Sequence, residues 1–190
     1  MDIKKCFIIT AILLFPKFGI DATPISEFNA QFIKQSILRL KPDFSQKDAT
    51  IISKVVFKYA KFKDLDPLLI ISIMYQESRF KLKVVSKTSD YCAMQINIAN
   101  IKRHKLNSDK LLTDYDYCIY WGAKILHGFK NVYSQKEFFW WSRYNSPLPE
   151  WRKKYEKSVL SHYNIIHPEF FEINSKHAFA HNVVKTNYEY

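Results

Sequence analysis

The sequence has 190 residues, a length that suits one domain with a sizeable core. Hydrophobic residues make up 47% and aromatic residues 16%, which excludes an intrinsically disordered chain. The formal net charge of +11 is spread along the chain, so nucleic acid and an anionic polymer such as a cell wall both stay open as partners. A Lys-rich surface without a specific partner is the third interpretation.

The first 22 residues have the layout of a secretory signal peptide. Lys4 and Lys5 form a positive n-region, residues 6–15 are an apolar run, and Ala22 offers a small residue at a cleavage point. The apolar run is short for a bilayer span, although an uncleaved N-terminal anchor is the alternative. We therefore predict a periplasmic or otherwise exported protein, without a stable membrane span once residues 1–22 are removed.

Apolar residues recur with helical spacing through most of the remaining chain, and few glycines are left for the turns of a sheet protein. Helices are predicted over residues 26–40, 48–62, 68–80, 97–104, 116–130, 136–143 and 150–163. Two buried faces are predicted at helical spacing, and their residues are Phe28, Phe32, Ile37 and Leu38 in the first helix and Ile51, Ile52, Val55, Val56, Tyr59 and Phe62 in the second. Residues 82–93 are predicted to be a loop, and residues 164–190 a loosely packed C-terminal tail.

The third helix has a strong start signal, since Asp66 can cap it and Pro67 fits its first position. It is apolar nearly all round, so we expect it to be buried. Near its end, Glu77 shares a face with Ile70, Ile73 and Met74.

These surroundings are expected to raise the pKa of the Glu77 carboxyl. Desolvation by apolar neighbours and the negative end of the helix dipole both raise a carboxyl pKa. A carboxyl that stays protonated near neutral pH can donate its proton to a glycosidic oxygen. The alternative is a glutamate that turns out into solvent at the helix end.

Two cysteines, Cys92 and Cys118, remain after signal cleavage. In an oxidising compartment they invite a disulfide that closes a loop of about 25 residues, worth roughly 3 kcal/mol in the chain-entropy model. Two buried free thiols are the alternative. His and Cys residues do not occur at the spacings of the common zinc sites, so we expect neither a metal nor another cofactor.

The pattern that begins at Glu77 resembles the transglycosylase domain shared by soluble lytic transglycosylases and goose-type lysozymes. The matching residues are Glu77-Ser78, Phe80, Ser86, Met94-Gln95-Ile96, Ile119, Gly122 and Tyr144-Asn145. The resemblance covers about residues 60–163. It implies an all-α, lysozyme-like domain, placed here at residues 26–163, that acts on peptidoglycan glycan strands with Glu77 as catalytic acid/base.

The resemblance implies further roles for five residues around Glu77. Ser86 matches a serine that hydrogen-bonds near the catalytic carboxylate, Met94 and Gln95 match residues that line the glycan groove, and Tyr144 and Asn145 match the pair that closes over the site. Core packing is the alternative for Met94, and a buried aromatic with a bonded hydroxyl is the alternative for Tyr144.

The chain departs from the family pattern at a few positions. Cys92-Ala93 stands where Gly-Leu is usual, and Cys118 stands where Asn is usual. A Cβ at position 92 restricts a positive φ there, so we hypothesise that a Cys92–Cys118 bond replaces glycine geometry in holding the loop. Ser146-Pro147 replaces the common Ala-Gly, which affects the shape of the groove more than its chemistry.

The closest resemblance is to the small exported transglycosylases of type III and type IV secretion and conjugation systems, which would make components of such a system further partners. The expected reaction cleaves the β-1,4 bond between N-acetylmuramic acid and N-acetylglucosamine and forms a 1,6-anhydro ring, opening the wall locally.

A muramidase-type hydrolase would need a second carboxylate, for which Asp90 is better placed than Asp114 or Asp116. A non-catalytic peptidoglycan-binding assembly factor is the other alternative. The signal peptide and the lack of a helix dense in Lys and Arg disfavour a nucleic-acid binder.

Overall fold

The protein is helical through most of its described length. A computed structural model describes residues 29–167, which contain seven α-helices, a 3₁₀ helix and a two-stranded antiparallel hairpin. Their bounds are α1 Ala30–Leu40, α2 Gln46–Lys63, α3 Pro67–Ser78, β1 Asp90–Tyr91, β2 Ile96–Asn97, α4 Ile98–His104, α5 Ser108–Thr113, α6 Tyr115–Tyr133, the 3₁₀ helix Trp140–Tyr144 and α7 Pro149–Ile166. The predicted all-α class is confirmed.

Helix α3 lies in the core, as its composition predicts. Its residues from Pro67 to Met74 are all buried. Asp66 accepts hydrogen bonds from the amides of Leu68 (2.7 Å) and Leu69 (3.4 Å), and Pro67 occupies the first turn. The helix ends at Ser78 because Arg79 turns left-handed at φ 53° and its amide closes on the Tyr75 carbonyl.

The buried stripe of α1 differs from the predicted one. Ile33, Ile37 and Leu40 are buried, whereas Phe32 is 37% exposed, and Phe28 lies outside the described residues. The stripe is rotated because α1 packs on both α2 and α7, a contact that the periodicity of α1 alone does not specify.

The buried stripe of α2 is narrower than predicted. Ile52, Val56 and Tyr59 are buried, but Ile51 is exposed and Phe62 is 72% exposed. An amphipathic helix buries only the arc that faces its neighbours, here α1 and α6, so the outer positions of a wide apolar face stay in solvent.

Several predicted boundaries need correction. Residues 136–143 do not form an α-helix; the chain turns there and enters the 3₁₀ helix, whose Trp140 and Trp141 are buried. The short hairpin and α5 were not predicted, since two-residue strands and a six-residue helix carry little periodicity. Helix α7 runs to Ile166, so the predicted tail from residue 164 begins inside it.

Two parts of the predicted domain organisation lie outside the described residues: the signal peptide at residues 1–22 and the tail from residue 168 onward. Across residues 29–167, none of the helices combines the length and the apolar character needed to cross a bilayer.

Helix α7 crosses α3 so that its two edges contact opposite ends of α3. On one edge, the Tyr163 hydroxyl donates to the Asp66 carboxylate at the start of α3. On the other edge, His162 packs edge-on against Tyr75 and lies 3.0 Å from the Gln76 side-chain oxygen, near the end of α3. This crossing fixes the surroundings of the last turn of α3, where Glu77 lies.

The two glycines of α6 give a matched pair of substitutions. A Cβ on Gly122 would lie 2.6 Å from Cε and 2.9 Å from Cβ of Met94, whereas a Cβ on Gly128 meets nothing within 4 Å. We expect Gly122→Ala to lower the free energy of unfolding by about 1–3 kcal/mol through overpacking. Gly128→Ala should raise it by up to about 1 kcal/mol through helix propensity. Urea unfolding followed by circular dichroism measures both, and an equal effect of the two changes would contradict the packing of Met94 on Gly122.

Candidate active site

The Glu77 side chain lies in the penultimate position of α3, partly exposed, above an apolar base. Ile70, Ile73 and Met74, on the same helix face, are fully buried. Glu77 is therefore a half-buried residue that shares its helix face with fully buried hydrocarbon side chains. Such a position penalises the charged form of the group while leaving it accessible to a ligand.

Tyr155 makes the direct contact with the Glu77 carboxyl. Its hydroxyl donates to Glu77 Oε1 at 2.6 Å from the buried face of α7. Tyr155 is not among the site residues predicted from the sequence. The buried positions of α7 at Tyr155, Val159 and Tyr163 recur every four residues, which indicates a core-facing hydroxyl in need of a partner. The identity of the partner depends on how α7 crosses α3.

The electrostatics of the site raise the pKa of Glu77 from its ordinary value of 4.5 to about 7. Burial is the largest cause, and the negative charge of Asp90 adds to it, while the hydrogen bond from Tyr155 opposes it. Burial also raises the pKa of Tyr155 well above its usual range, so Tyr155 stays protonated and remains a donor. Glu77 can thus release and regain a proton near neutral pH.

Asp90 and Ser86 form a tight cluster at the hairpin. Asp90 Oδ2 accepts from Ser86 Oγ (2.8 Å) and from the Thr88 hydroxyl, and Oδ1 accepts from Asn97 Nδ2 (2.7 Å). Ser86 Oγ in turn accepts from the Asp90 amide at 3.0 Å. The carboxylate that Ser86 contacts is therefore that of Asp90, whose negative charge in turn raises the pKa of Glu77.

The loop from Cys92 to Met94 is held by side-chain donors at three successive carbonyls. Gln95 Nε2 donates to the Cys92 carbonyl (2.9 Å), Ser78 Oγ to the Ala93 carbonyl (2.8 Å), and the Tyr144 hydroxyl to the Met94 carbonyl (2.8 Å). Ser78 directly follows Glu77, so the loop is tied to the end of α3 beside the carboxyl.

The four remaining family-implied residues differ in where their side chains lie. Met94 is fully buried against Gly122, which is the core packing given above as the alternative to a side chain that lines the groove. Gln95 and Tyr144 are half-buried, and their side chains hold the loop. Asn145 is exposed directly after Tyr144 at the end of the 3₁₀ helix.

A disulfide joins Cys92 to Cys118, across 26 positions of sequence, and so ties the loop to α6. Cys92 has a φ of 65°, the left-handed conformation that favours glycine. Its Cβ makes that conformation unfavourable by about 1–2 kcal/mol, which the covalent bond and the loop contacts offset. Both cysteines are fully buried.

The other two aspartates considered as second carboxylates have structural partners elsewhere. Asp114 caps α6 by accepting from the amide of Asp116 at 2.8 Å. Asp116 accepts from the hydroxyl of Tyr59 (2.8 Å) and from Lys58 Nζ (3.1 Å). Of the three, Asp90 is the one whose charge acts on Glu77. Within residues 29–167, His, Cys, Asp and Glu side chains do not gather in a group of three that could hold a metal ion.

A family comparison identifies the domain. The model of the transglycosylase SLT domain matches residues 54–164, more than half of the chain. The chain belongs to this family. Comparison with curated proteins and with solved structures finds no match. The SLT domain indicates a lysozyme-like helical fold and lytic-transglycosylase-type activity on peptidoglycan in general. The match starts in α2 and ends in α7, and α1, which packs against both of these helices, lies outside the matched residues.

The positive φ of Cys92 in this SLT domain should affect the free energy of unfolding separately from the disulfide. Cys92→Ala/Cys118→Ala should lower the free energy of unfolding by about 3 kcal/mol, because the cross-link is lost. Cys92→Gly/Cys118→Ala should recover about 1 kcal/mol of that loss, because glycine adopts a positive φ without a Cβ penalty. Urea unfolding under non-reducing conditions compares the three proteins. A glycine variant no more stable than the alanine variant would contradict the role given to the backbone at position 92.

Proposed function

We propose that the chain is an exported lytic transglycosylase that cleaves the β-1,4 bond between N-acetylmuramic acid and N-acetylglucosamine and leaves a 1,6-anhydro-N-acetylmuramic acid end. The observation that carries this proposal is a single carboxyl, Glu77, whose pKa of about 7 results from burial and whose Oε1 is held by Tyr155. The family supplies the substrate class, peptidoglycan.

In the first step, Glu77 acts as a general acid. Its carboxyl proton passes to the glycosidic oxygen as the bond from that oxygen to C1 of N-acetylmuramic acid breaks. The acetamido oxygen of the same sugar stabilises the positive charge at C1. This step needs protonated Glu77, and the protonated fraction falls as pH rises through about 7.

In the second step, Glu77 acts as a general base. The C6 hydroxyl of the same sugar forms a bond to C1, and its proton passes to the Glu77 carboxylate. The anhydro ring closes, the acid form of Glu77 is restored, and water is not consumed. One residue that works first as acid and then as base needs a pKa near the working pH, which is the condition found at Glu77.

A muramidase-type hydrolase is the second candidate, and the action of the Asp90 charge on Glu77 is the observation in its favour. A hydrolase needs a carboxylate that is free to position water. Both oxygens of Asp90 already accept hydrogen bonds from Ser86, Thr88 and Asn97 within the hairpin. This arrangement favours the transglycosylase, in which Asp90 shapes the loop and raises the pKa of Glu77.

A non-catalytic peptidoglycan-binding assembly factor is the third candidate. Burying an ionisable carboxyl is unfavourable, and a pure binding protein would gain little from it. The raised pKa of Glu77 is therefore better explained by proton transfer than by binding alone.

The cellular role that we propose is local opening of the wall for a secretion or conjugation apparatus. The support comes from the sequence. The predicted signal peptide at residues 1–22, the small size, the run Met94-Gln95-Ile96-Asn97 and the cysteine at position 118 resemble the exported transglycosylases of those systems. A periplasmic location and components of such an apparatus as partners belong to the same proposal. The net charge of +11 suits an anionic wall polymer.

A cleavage assay tests the assignment of Glu77. Purified wild-type protein and Glu77→Gln are compared on isolated peptidoglycan, by clearing in a gel and by mass spectrometry of the released fragments. Glu77→Gln should lower the cleavage rate by about 100- to 10,000-fold, because the amide cannot transfer the proton. Glu156→Gln, which makes the same change at a glutamate of α7 away from the α3 carboxyl, is the matched control and should cleave like the wild type.

The products separate the three candidates. Anhydro ends from the wild type support the transglycosylase, whereas reducing ends that disappear in Asp90→Asn would support the hydrolase. Equal clearing by wild type and Glu77→Gln would contradict the role of Glu77. Binding to peptidoglycan without cleavage by the wild type would favour the assembly factor.

A further inference from the structure

The first turn of α7 presents a large apolar side chain to solvent. Trp151 is 55% exposed, whereas Trp140 and Trp141 are buried and Trp121 is half-buried. Single exposed apolar residues are common on protein surfaces, so exposure alone carries no conclusion. A function of Trp151 is indicated by its position relative to Glu77.

Trp151 lies on the edge of α7 that faces the end of α3. It precedes Tyr155 by four residues and His162 by eleven, spacings that place the three side chains within about 40° of one another around the helix. Tyr155 contacts the Glu77 carboxyl, and His162 contacts Gln76. Trp151 therefore projects from the same edge, about 6 Å along the axis from the residue that holds Glu77.

The first turn of α7, which carries Trp151, is also held by an ion pair of the next residue, Arg152. Arg152 Nη1 forms an ion pair with Glu137 Oε2 at 2.7 Å, and Glu137 also binds Arg143, the residue before Tyr144. The Arg152 and Arg143 side chains are largely buried. This network joins the start of α7, which carries Trp151, to the 3₁₀ helix, whose Tyr144 holds the Met94 carbonyl of the loop.

We propose that Trp151 is a glycan-stacking residue, on whose indole face a sugar ring of the bound strand lies next to the bond that Glu77 cleaves. The apolar C–H face of a pyranose suits an indole, which offers a flat, rigid surface and loses little conformational freedom on binding. Leu148, the residue that precedes α7, is also exposed. This inference rests on the proposed function only in taking peptidoglycan glycan as the ligand.

A binding experiment in the Glu77→Gln background tests this role without cleavage. The probe is a soluble, uncross-linked glycan fragment of alternating N-acetylglucosamine and N-acetylmuramic acid, and the dissociation constant is measured by calorimetry. Adding Trp151→Ala should weaken binding about tenfold, because the stacking surface is lost. Trp151→Tyr, which keeps a ring, should stay within about twofold, as should Phe62→Ala, which removes the exposed aromatic of α2.

Two further readouts separate substrate contact from a structural effect. With Glu77 intact, Trp151→Ala should raise KM about tenfold and leave kcat nearly unchanged, the signature of lost ground-state binding. In the Glu77→Gln protein, saturating glycan should reduce acrylamide quenching of tryptophan fluorescence, and this protection should disappear in Trp151→Tyr because the most exposed tryptophan is gone.

Equal affinity with and without Trp151, or failure of the Glu77→Gln protein to bind the glycan fragment, would overturn the proposal. If the wild type does not cleave peptidoglycan but binding of the fragment depends on Trp151, the proposed function fails and the stacking role stands. If cleavage proceeds with Glu77 and Trp151→Ala leaves KM unchanged, the stacking role fails and the proposed function stands.

Discussion

The hydrogen bond from Tyr155 to Glu77 joins the two helices on which the site depends. Helix α3 brings a carboxyl to the edge of the core, and α7 crosses it with a buried hydroxyl that fixes Oε1. Burial raises the pKa of the carboxyl to about 7, and the Tyr155 bond keeps it from rising further. The same contact sets the orientation of the acid, because Tyr155 is itself held in the core. The crossing of α3 and α7 thus sets both the pKa of the Glu77 carboxyl and its orientation.

The Cys92–Met94 loop beside Glu77 is held by hydrogen bonds and a disulfide. Side chains of Gln95, Ser78 and Tyr144 satisfy three successive carbonyls, and the Cys92–Cys118 bond ties the loop to α6. Cys92 adopts the backbone conformation that glycine would provide in the family pattern. Here a covalent bond and a set of hydrogen bonds hold the loop in place of glycine's conformational freedom.

Much of this arrangement follows from the sequence, because it depends on local signals. The start of α3 at Asp66-Pro67, its burial and the apolar base of Glu77 are encoded within one helix. The Tyr155 contact, the burial of Met94 and the pairing of Ser86 with Asp90 depend on which elements meet in space, and local periodicity does not carry that information. The sequence predicts an α-helix over residues 136–143, where the structure has a turn followed by the 3₁₀ helix. The burial of Trp140 and Trp141 depends on tertiary packing, which helical spacing does not specify.

Burial holds the Glu77 carboxyl protonated close to neutral pH, and the hydrogen bond from Tyr155 moderates this rise of the pKa. A titration of the Glu77 side-chain carbon by NMR, with Glu77→Gln to assign the resonance, measures this directly. We expect a midpoint near pH 7 in the wild type and a higher one in Tyr155→Phe, because the hydrogen bond that favours the charged form is removed. A wild-type midpoint near the ordinary value of 4.5 would contradict the role given to burial, and a lower midpoint in Tyr155→Phe would contradict the role given to Tyr155.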